Sequence, residues 1–201
     1  MDVVARASRS ATKKRPLSPL QFTPYEMQLS GRGELRHLVN CETSGPAFCL
    51  QGQSLYCGLY LNELLYRLLP RHEPESELFQ AYIAALRQLA DGASHEPCLR
   101  VFELALLDAM GYGLSLQHDI AGVPLDPEQY YLYQPECGLV VADNPSSGCT
   151  LTALGKKFLA IAACNYAEAD VRQLAKHLLR SVLVLYLGSK PLQSRKLFGG
   201  Q

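Results

Sequence analysis

The chain has 201 residues, 48% of them hydrophobic and 19% charged, with 19 basic and 19 acidic side chains. Those values describe a globular chain that buries a sizeable core in one large or two small domains, and they exclude a disordered one. No apolar run approaches the roughly 18–20 residues of a membrane-spanning helix, and the longest, SVLVLYLG, finishes a helix that carries charge upstream.

Taken in chain order, the sequence first reads as β structure. DVVARA suits a strand and leads into the basic loop SRSATKKRPLSP. PYEMQLS then alternates Tyr25, Met27 and Leu29 with polar neighbours, and ELRHLVN alternates Leu35, His37 and Val39, with the glycines of GRG supplying a tight turn between them. The pattern predicts a three-stranded meander over residues 1–45 whose alternating apolar residues face inward. Three strands are few, and such a sheet normally needs a partner layer.

From Gln53 the period becomes helical. QSLYCGLYLNELLYRLL places Leu55, Leu59, Asn62, Tyr66 and Leu69 on one stripe, widened by Leu61, Leu65 and Leu68. After the break at Pro74, ESELFQAYIAALRQLA carries Leu78, Ile83, Leu86 and Leu89 on its core side and stops at Asp91–Gly92. EPCLRVFELALLDAM follows, with Pro97 near its start and Leu99, Phe102, Leu106 and Met110 in register. Residues 114–150 change character: turn signals abound, and YYLY and GLVVA are short strand candidates, which predicts a small β-insert. TLTALGKKFLAIAAC resumes the helical period, and AEADVRQLAKHLLRSVLVLYLG is the last long helix, with Gly188 after its end.

The neutral total hides an uneven distribution. Residues 1–40 carry seven basic against three acidic groups, residues 41–154 four against fourteen, and residues 155–201 eight against two. Two basic ends that shared a face would offer a polyanion a positive surface. On the last helix Arg172, Lys176 and Arg180 repeat at four-residue spacing along one edge, with Lys190, Arg195 and Lys196 beyond it. Like charges at that spacing repel by a few tenths of a kcal/mol, so the edge is either a solvated face covering the core with its aliphatic stems or a phosphate-contacting one.

Chemistry-bearing motifs are sparse. Seven cysteines form no C-x-x-C pair, and the reading is free thiols in a reducing compartment. Cys137, Cys149 and His118 are too few and too widely spaced for tetrahedral zinc. In LTALGKKF a phosphate loop would need Gly where Thr150 stands and Ser or Thr where Lys157 stands. GRG and GYG are too short for a dinucleotide fingerprint, and His95–Glu96 and His118–Asp119 are isolated dipeptides. The sequence therefore predicts a binding protein that is not an enzyme and uses no metal or cofactor.

Three helical motifs, LYCGLYLNELLYRLL, LRVFELALLDAMGYG and YLGSKPLQSRKLF, together with LQFTP…SGRGELRHL, resemble in order and spacing the bacterial RecO family of recombination and repair mediators. The resemblance covers essentially the whole chain. It implies an α+β protein: an OB-fold barrel, incomplete over residues 1–45, then a mostly helical domain over residues 46–201 with the β-insert. Family members usually have two more strands before the segment matching DVVARASR, so this chain is expected to begin at about the third strand, with an exposed sheet edge. With only Cys137 and Cys149 in the insert, the zinc-free branch is the match. The implied activity is binding and annealing of single- and double-stranded DNA and, with RecR, loading of RecA onto DNA coated with single-strand-binding protein, in the cytoplasm at the nucleoid. An alternative is an adaptor whose incomplete barrel no longer binds DNA.

The resemblance also suggests roles for the cations. Arg6, Arg9, Lys13, Lys14 and Arg15 match the basic strand-loop of the barrel and Arg32 and Arg36 its last hairpin; with Arg172, Lys176, Arg180, Lys190, Arg195 and Lys196 they form the expected phosphate-contacting set. The family's contact with single-strand-binding protein takes an acidic tail ending in apolar residues and a carboxylate. Such a ligand requires an apolar groove beside a fixed cation, and Arg100 with Leu104 and Leu107 is expected to supply it.

Overall fold

The computed structural model describes residues 2–4, 19–31, 35–70, 74–143 and 150–199. Strands β1 (Asp2–Val4), β2 (Tyr25–Ser30) and β3 (Leu35–Thr43) form one sheet in the order β1-β3-β2. β2 and β3 pair antiparallel, but β1 pairs parallel with β3, Val3 opposite Arg36. The expected meander is thereby corrected. A parallel neighbour needs a crossover, and here the chain between β1 and β3 contains β2 itself. The inward face is corrected too. Leu35 and Val39 are 53% and 59% exposed, while Arg36, Leu38 and Asn40 are half-buried. Among the described residues this sheet is open, and a closed barrel is not formed.

The sheet joins the helices through a short linker in which Ser44 N donates to Pro24 O and Phe48 N to Phe22 O. Phe22 then packs its ring against Gly58 of helix α1 (Gly52–Leu68). A Cβ on Gly58 would stand 2.5 Å from Leu50 Cδ1 and 2.9 Å from Phe22 Cε1, so only glycine lets this linker lie on the helix.

Helices α1, α2 (Ser76–Ala90) and α3 (His95–Ala109) enclose one core built from Leu61, Leu64, Leu86, Leu89, Phe102 and Leu106. The buried side of α1 is Cys57, Gly58, Tyr60, Leu61 and Leu64, rather than the expected stripe through Tyr66, which is 84% exposed. α3 is the shared wall. Its other side, through Leu107, enters a second core with Phe158, Ile161, Leu178, Leu179 and Leu183. That core is closed by a second sheet, β5-β4-β6, made of β4 (Tyr130–Gln134), β5 (Gly138–Val141) and β6 (Thr152–Leu154), and by helices α4 (Gly155–Ala162) and α5 (Ala169–Leu187). A terminal 3-10 helix spans Ser194–Gly199. Both predicted β-insert strands and the five α-helices among the described residues lie where the sequence pattern places them, except that 152–154 is strand and not helix. Pairing with β4, Tyr131 opposite Ala153, overrides the helical pattern there. No helix among the described residues is long and apolar enough to cross a membrane.

The strand–glycine–helix turn at Gly155 looks like a phosphate cradle but is already occupied by the chain. Gly155 N donates to Gln129 O at 2.8 Å and Lys156 N to Pro127 O at 3.0 Å. Two of the N–H groups an anion would use are taken. Lys156 and Lys157 pair with Glu128 and Asp170 instead. A Cβ at Gly155 would come within 2.1 Å of Asp126 O, a backbone atom that no rotamer change moves. Gly155→Ala is therefore expected to destabilise the chain by about 2–3 kcal/mol; an unchanged urea midpoint would show that this turn yields easily.

Candidate functional site

A cavity of about 500 Å³ opens where α1, α3, α5 and the terminal 3-10 helix meet. Helical spacing explains its lining. On α1, Gln53, Cys57 and Tyr60 lie at i, i+4 and i+7; on α3, Glu96, Leu99, Arg100 and Glu103 share a face; on α5, Lys176 and Arg180 lie one turn apart. Arg195 and Phe198, three residues apart on the 3-10 helix, complete the wall.

At its base sits a buried polar triad. Glu103, only 1% exposed, accepts on one oxygen from both Tyr60 OH and Arg100 Nη2, each at 2.7 Å. Arg100 is itself only 7% exposed. Burial pushes the Glu103 carboxyl up, against the opposing pull of Arg100, the Tyr60 hydrogen bond and Arg195. Burial and the same carboxylate push the Tyr60 phenol up, so it remains the donor. Among the described residues Arg100 Nε and Glu103 Oε2 have no hydrogen-bond partner, so the pair retains unused bonding capacity. Beside it, burial pushes the thiols of Cys57 and Cys98 up to about 11, which leaves them inert small hydrophobes.

At the rim, Lys176 Nζ reaches Glu96 Oε1 at 3.1 Å and ties α5 to α3. Ser54 Oγ donates to Leu89 O and also meets His95 Nε2 at 2.9 Å; with its one proton on the carbonyl, the histidine must be the donor. Among the described residues Arg180 and Arg195 have no carboxylate within ion-pair distance. The cavity therefore has apolar lining (Cys57, Leu99, Phe198) and two arginines with capacity for an incoming carboxylate.

The residues singled out from the sequence fare differently. Arg6, Arg9, Lys13, Lys14, Arg15 and Arg32, as well as Cys149, lie outside the described residues. Arg36 donates to Gly31 O within its own hairpin. The α5 edge is divided: Arg172 donates to Tyr166 O and Ala167 O just before its own helix, Lys176 is held by Glu96, and Arg180 lines the cavity. Lys190 and Lys196 are exposed, and Arg195 turns into the cavity. Arg100 lines the cavity as its proposed role requires, but its two companions do not. Leu107 is fully buried in the second core, and Leu104 faces a separate cavity of about 440 Å³ with Val101 and Cys164. The apolar surface beside Arg100 comes instead from Leu99, the preceding residue on α3, and from Cys57 on α1 and Phe198 on the 3-10 helix. Sequence reasoning missed Glu103. An Arg and a Glu three residues apart inside the otherwise apolar LRVFELALL were a signal for it.

The family model described as "Recombination protein O C terminal" matches residues 50–196, which include every residue lining this cavity except Phe198. The chain belongs to the RecO family. Among relatives, a protein named DNA repair protein RecO from Pseudomonas aeruginosa (strain LESB58) is 40% identical over 190 residues, covering 94% of this chain and 80% of the relative. The protein of that name from Stutzerimonas stutzeri (strain A1501) is 42% identical, covering 88% and 74%. That from Pseudoalteromonas atlantica (strain T6c / ATCC BAA-1087) is 44% identical, covering 96% and 78%. In this RecO-family chain, breaking the buried triad has a definite cost. Glu103→Ala leaves Arg100 uncompensated and is expected to lower the unfolding free energy by about 3–5 kcal/mol, against about 2 kcal/mol for Tyr60→Phe, which removes one bond to the carboxylate. Urea denaturation measures both, and equal effects would contradict a buried ion pair.

Proposed function

We propose that the protein is a DNA repair and recombination mediator that works by binding, without turnover. It holds and anneals DNA strands through its cations, captures the acidic C-terminal tail of single-strand-binding protein in the α1–α3–α5 cavity, and with RecR assists loading of RecA onto the coated DNA. Membership of the RecO family supports the repair role, and the relatives' shared name points the same way. The observation that carries the tail-binding reading is the cavity itself: apolar lining beside Arg100, with Arg180 and Arg195 having no carboxylate within ion-pair distance among the described residues. A peptide that is acidic, apolar at its end and terminated by a carboxylate matches each of those features.

For DNA, contact to the phosphate backbone is the expected mode, since neutralising phosphates releases counterions and needs no sequence readout. A basic surface also screens two like-charged strands from one another, which favours annealing. Replacing Arg6, Arg9, Lys13, Lys14 and Arg15 by Gln in the full chain should weaken single-strand binding and flatten its log–log salt dependence by about 0.7 for each phosphate that is no longer neutralised. An unchanged slope would remove these residues from the interface.

The mediator reading is tested by annealing complementary oligonucleotides coated with single-strand-binding protein. Acceleration by the wild type is expected, with most of it lost in Arg180→Glu on coated strands and much less on bare ones. No acceleration of coated strands would overturn mediation, and capture of the tail without DNA binding would leave an adaptor.

A further inference from the structure

The chain between α5 and the 3-10 helix lies as a strap across α1, and its anchorage is specific. Glu63 on α1 accepts from Gln193 N on one oxygen at 2.8 Å, and on the other from Ser194 N at 2.8 Å and Ser194 Oγ at 2.6 Å. One turn on, Arg67 Nη2 donates to Leu187 O and, at 2.8 Å, to Lys190 O, so it holds the other end of the strap. Between the two clamps Leu192 is buried in the core of α1, α2 and α3. Beyond them the Phe198 ring meets Tyr56 edge-on, with centroids 5.9 Å apart.

A carboxylate accepting two backbone N–H groups and the Ser194 hydroxyl at the start of a helix is a strong N-terminal anchor, here supplied by another helix rather than by a local cap. Burial would raise the Glu63 carboxyl; the bonds from Ser194 and Gln193, with Arg67 nearby, outweigh it and hold the group below its ordinary range. These bonds therefore favour the ionised form, the one that can accept all three of them.

The residue after Ser194 is Arg195, and Phe198 lies one 3-10 turn further; both line the cavity, whereas Glu63 does not. A six-residue 3-10 helix has too few internal hydrogen bonds to define its own position, so the anchor defines it. We propose that Glu63 is a positioning residue for the cavity: by anchoring the start of the strap it places Arg195 and Phe198 on the wall, and so sets affinity for a carboxylate-ended peptide that it never touches. This rests on the cavity's being a peptide site. It adds that the site is assembled from a tethered strap rather than carved wholly from rigid helices.

The test uses the full chain and a labelled synthetic peptide of aspartates followed by apolar residues, once with a free terminal carboxylate and once amidated. The wild type should bind the free form more tightly. Glu63→Gln should lower affinity for the free form roughly five- to tenfold and shrink its advantage over the amide, as Arg195→Gln does; this corresponds to weaker preorganisation of the wall, with every direct bond to the peptide still available. In the Arg195→Gln background Glu63→Gln should add clearly less than its loss in the wild type, the remainder acting through Phe198, a coupling that general destabilisation would not produce. Ser194→Ala, which removes one donor and leaves Glu63 in place, is the milder variant should Glu63→Gln fail to fold, and should cost about two- to threefold. A wild type that ignores both peptides overturns the cavity reading and this inference with it. A wild type that binds the peptide while Glu63→Gln and Ser194→Ala bind equally well, or effects of Glu63 and Arg195 that simply add, overturns the inference alone.

Discussion

A carboxylate sealed inside a helical core must be answered by a cation, and the Arg100–Glu103 pair is that constraint in this chain. Glu103 cannot leave α3, so Arg100, one turn earlier on the same helix, is held beside it, and Tyr60 is drawn in from α1 to share the same oxygen. The arrangement joins α1 to α3 at the base of the cavity and keeps a guanidinium at fixed depth. Such a pair adds little net stability compared with packed hydrophobes. What it does provide is a cation with no freedom to relocate, next to apolar lining from Leu99, Cys57 and Phe198. The opposite balance holds at the rim, where the solvated Lys176–Glu96 pair contributes little and Arg180 and Arg195 keep the capacity to meet a new partner.

The cavity draws on four elements that are far apart in the chain. α3 supplies the base, α1 one side, α5 two cations, and the terminal strap the last wall. α3 can serve because it is the wall between two cores, with Phe102 and Leu106 in one and Leu107 in the other, and cannot shift without disturbing both. The strap is the opposite case: it is held by a few hydrogen bonds and one buried leucine. A rigid base and an anchored wall suit a ligand that is extended and charged, since the base fixes where its apolar end lies while the Glu63 anchor holds Arg195 ready for its carboxylate.

Much of this fold is legible in the sequence. The period of 3.6 locates α1, α2, α3 and α5 because each buries one side against a core, and the turn-rich stretch after Gly113 marks the β-insert. What escapes are facts of pairing. The parallel partnership of β1 with β3 skips the strand between them, and alternation along β3 does not say which face is covered, so it puts Leu35 and Val39 on the wrong side. At Thr152–Leu154 a helical pattern yields to an available edge on β4. For the site, Arg100 is legible as a candidate, but its surroundings are not: Leu104 and Leu107, one and two turns on, face elsewhere, whereas Cys57 on α1 and Phe198 on the 3-10 helix join Leu99 in the cavity with it. The α5 cations share that fate. Their spacing is visible, while Glu96, which holds Lys176, stands 80 positions away.

The most direct test of this account is a crystal structure of the full chain with an acidic peptide that ends in apolar residues and a free carboxylate. The account predicts the terminal carboxylate hydrogen-bonded to Arg180 or Arg195, with the last apolar side chain over Leu99 and Phe198 beside Arg100. A peptide seated instead in the cavity lined by Val101 and Leu104, or along the open edge of the first sheet, would contradict it.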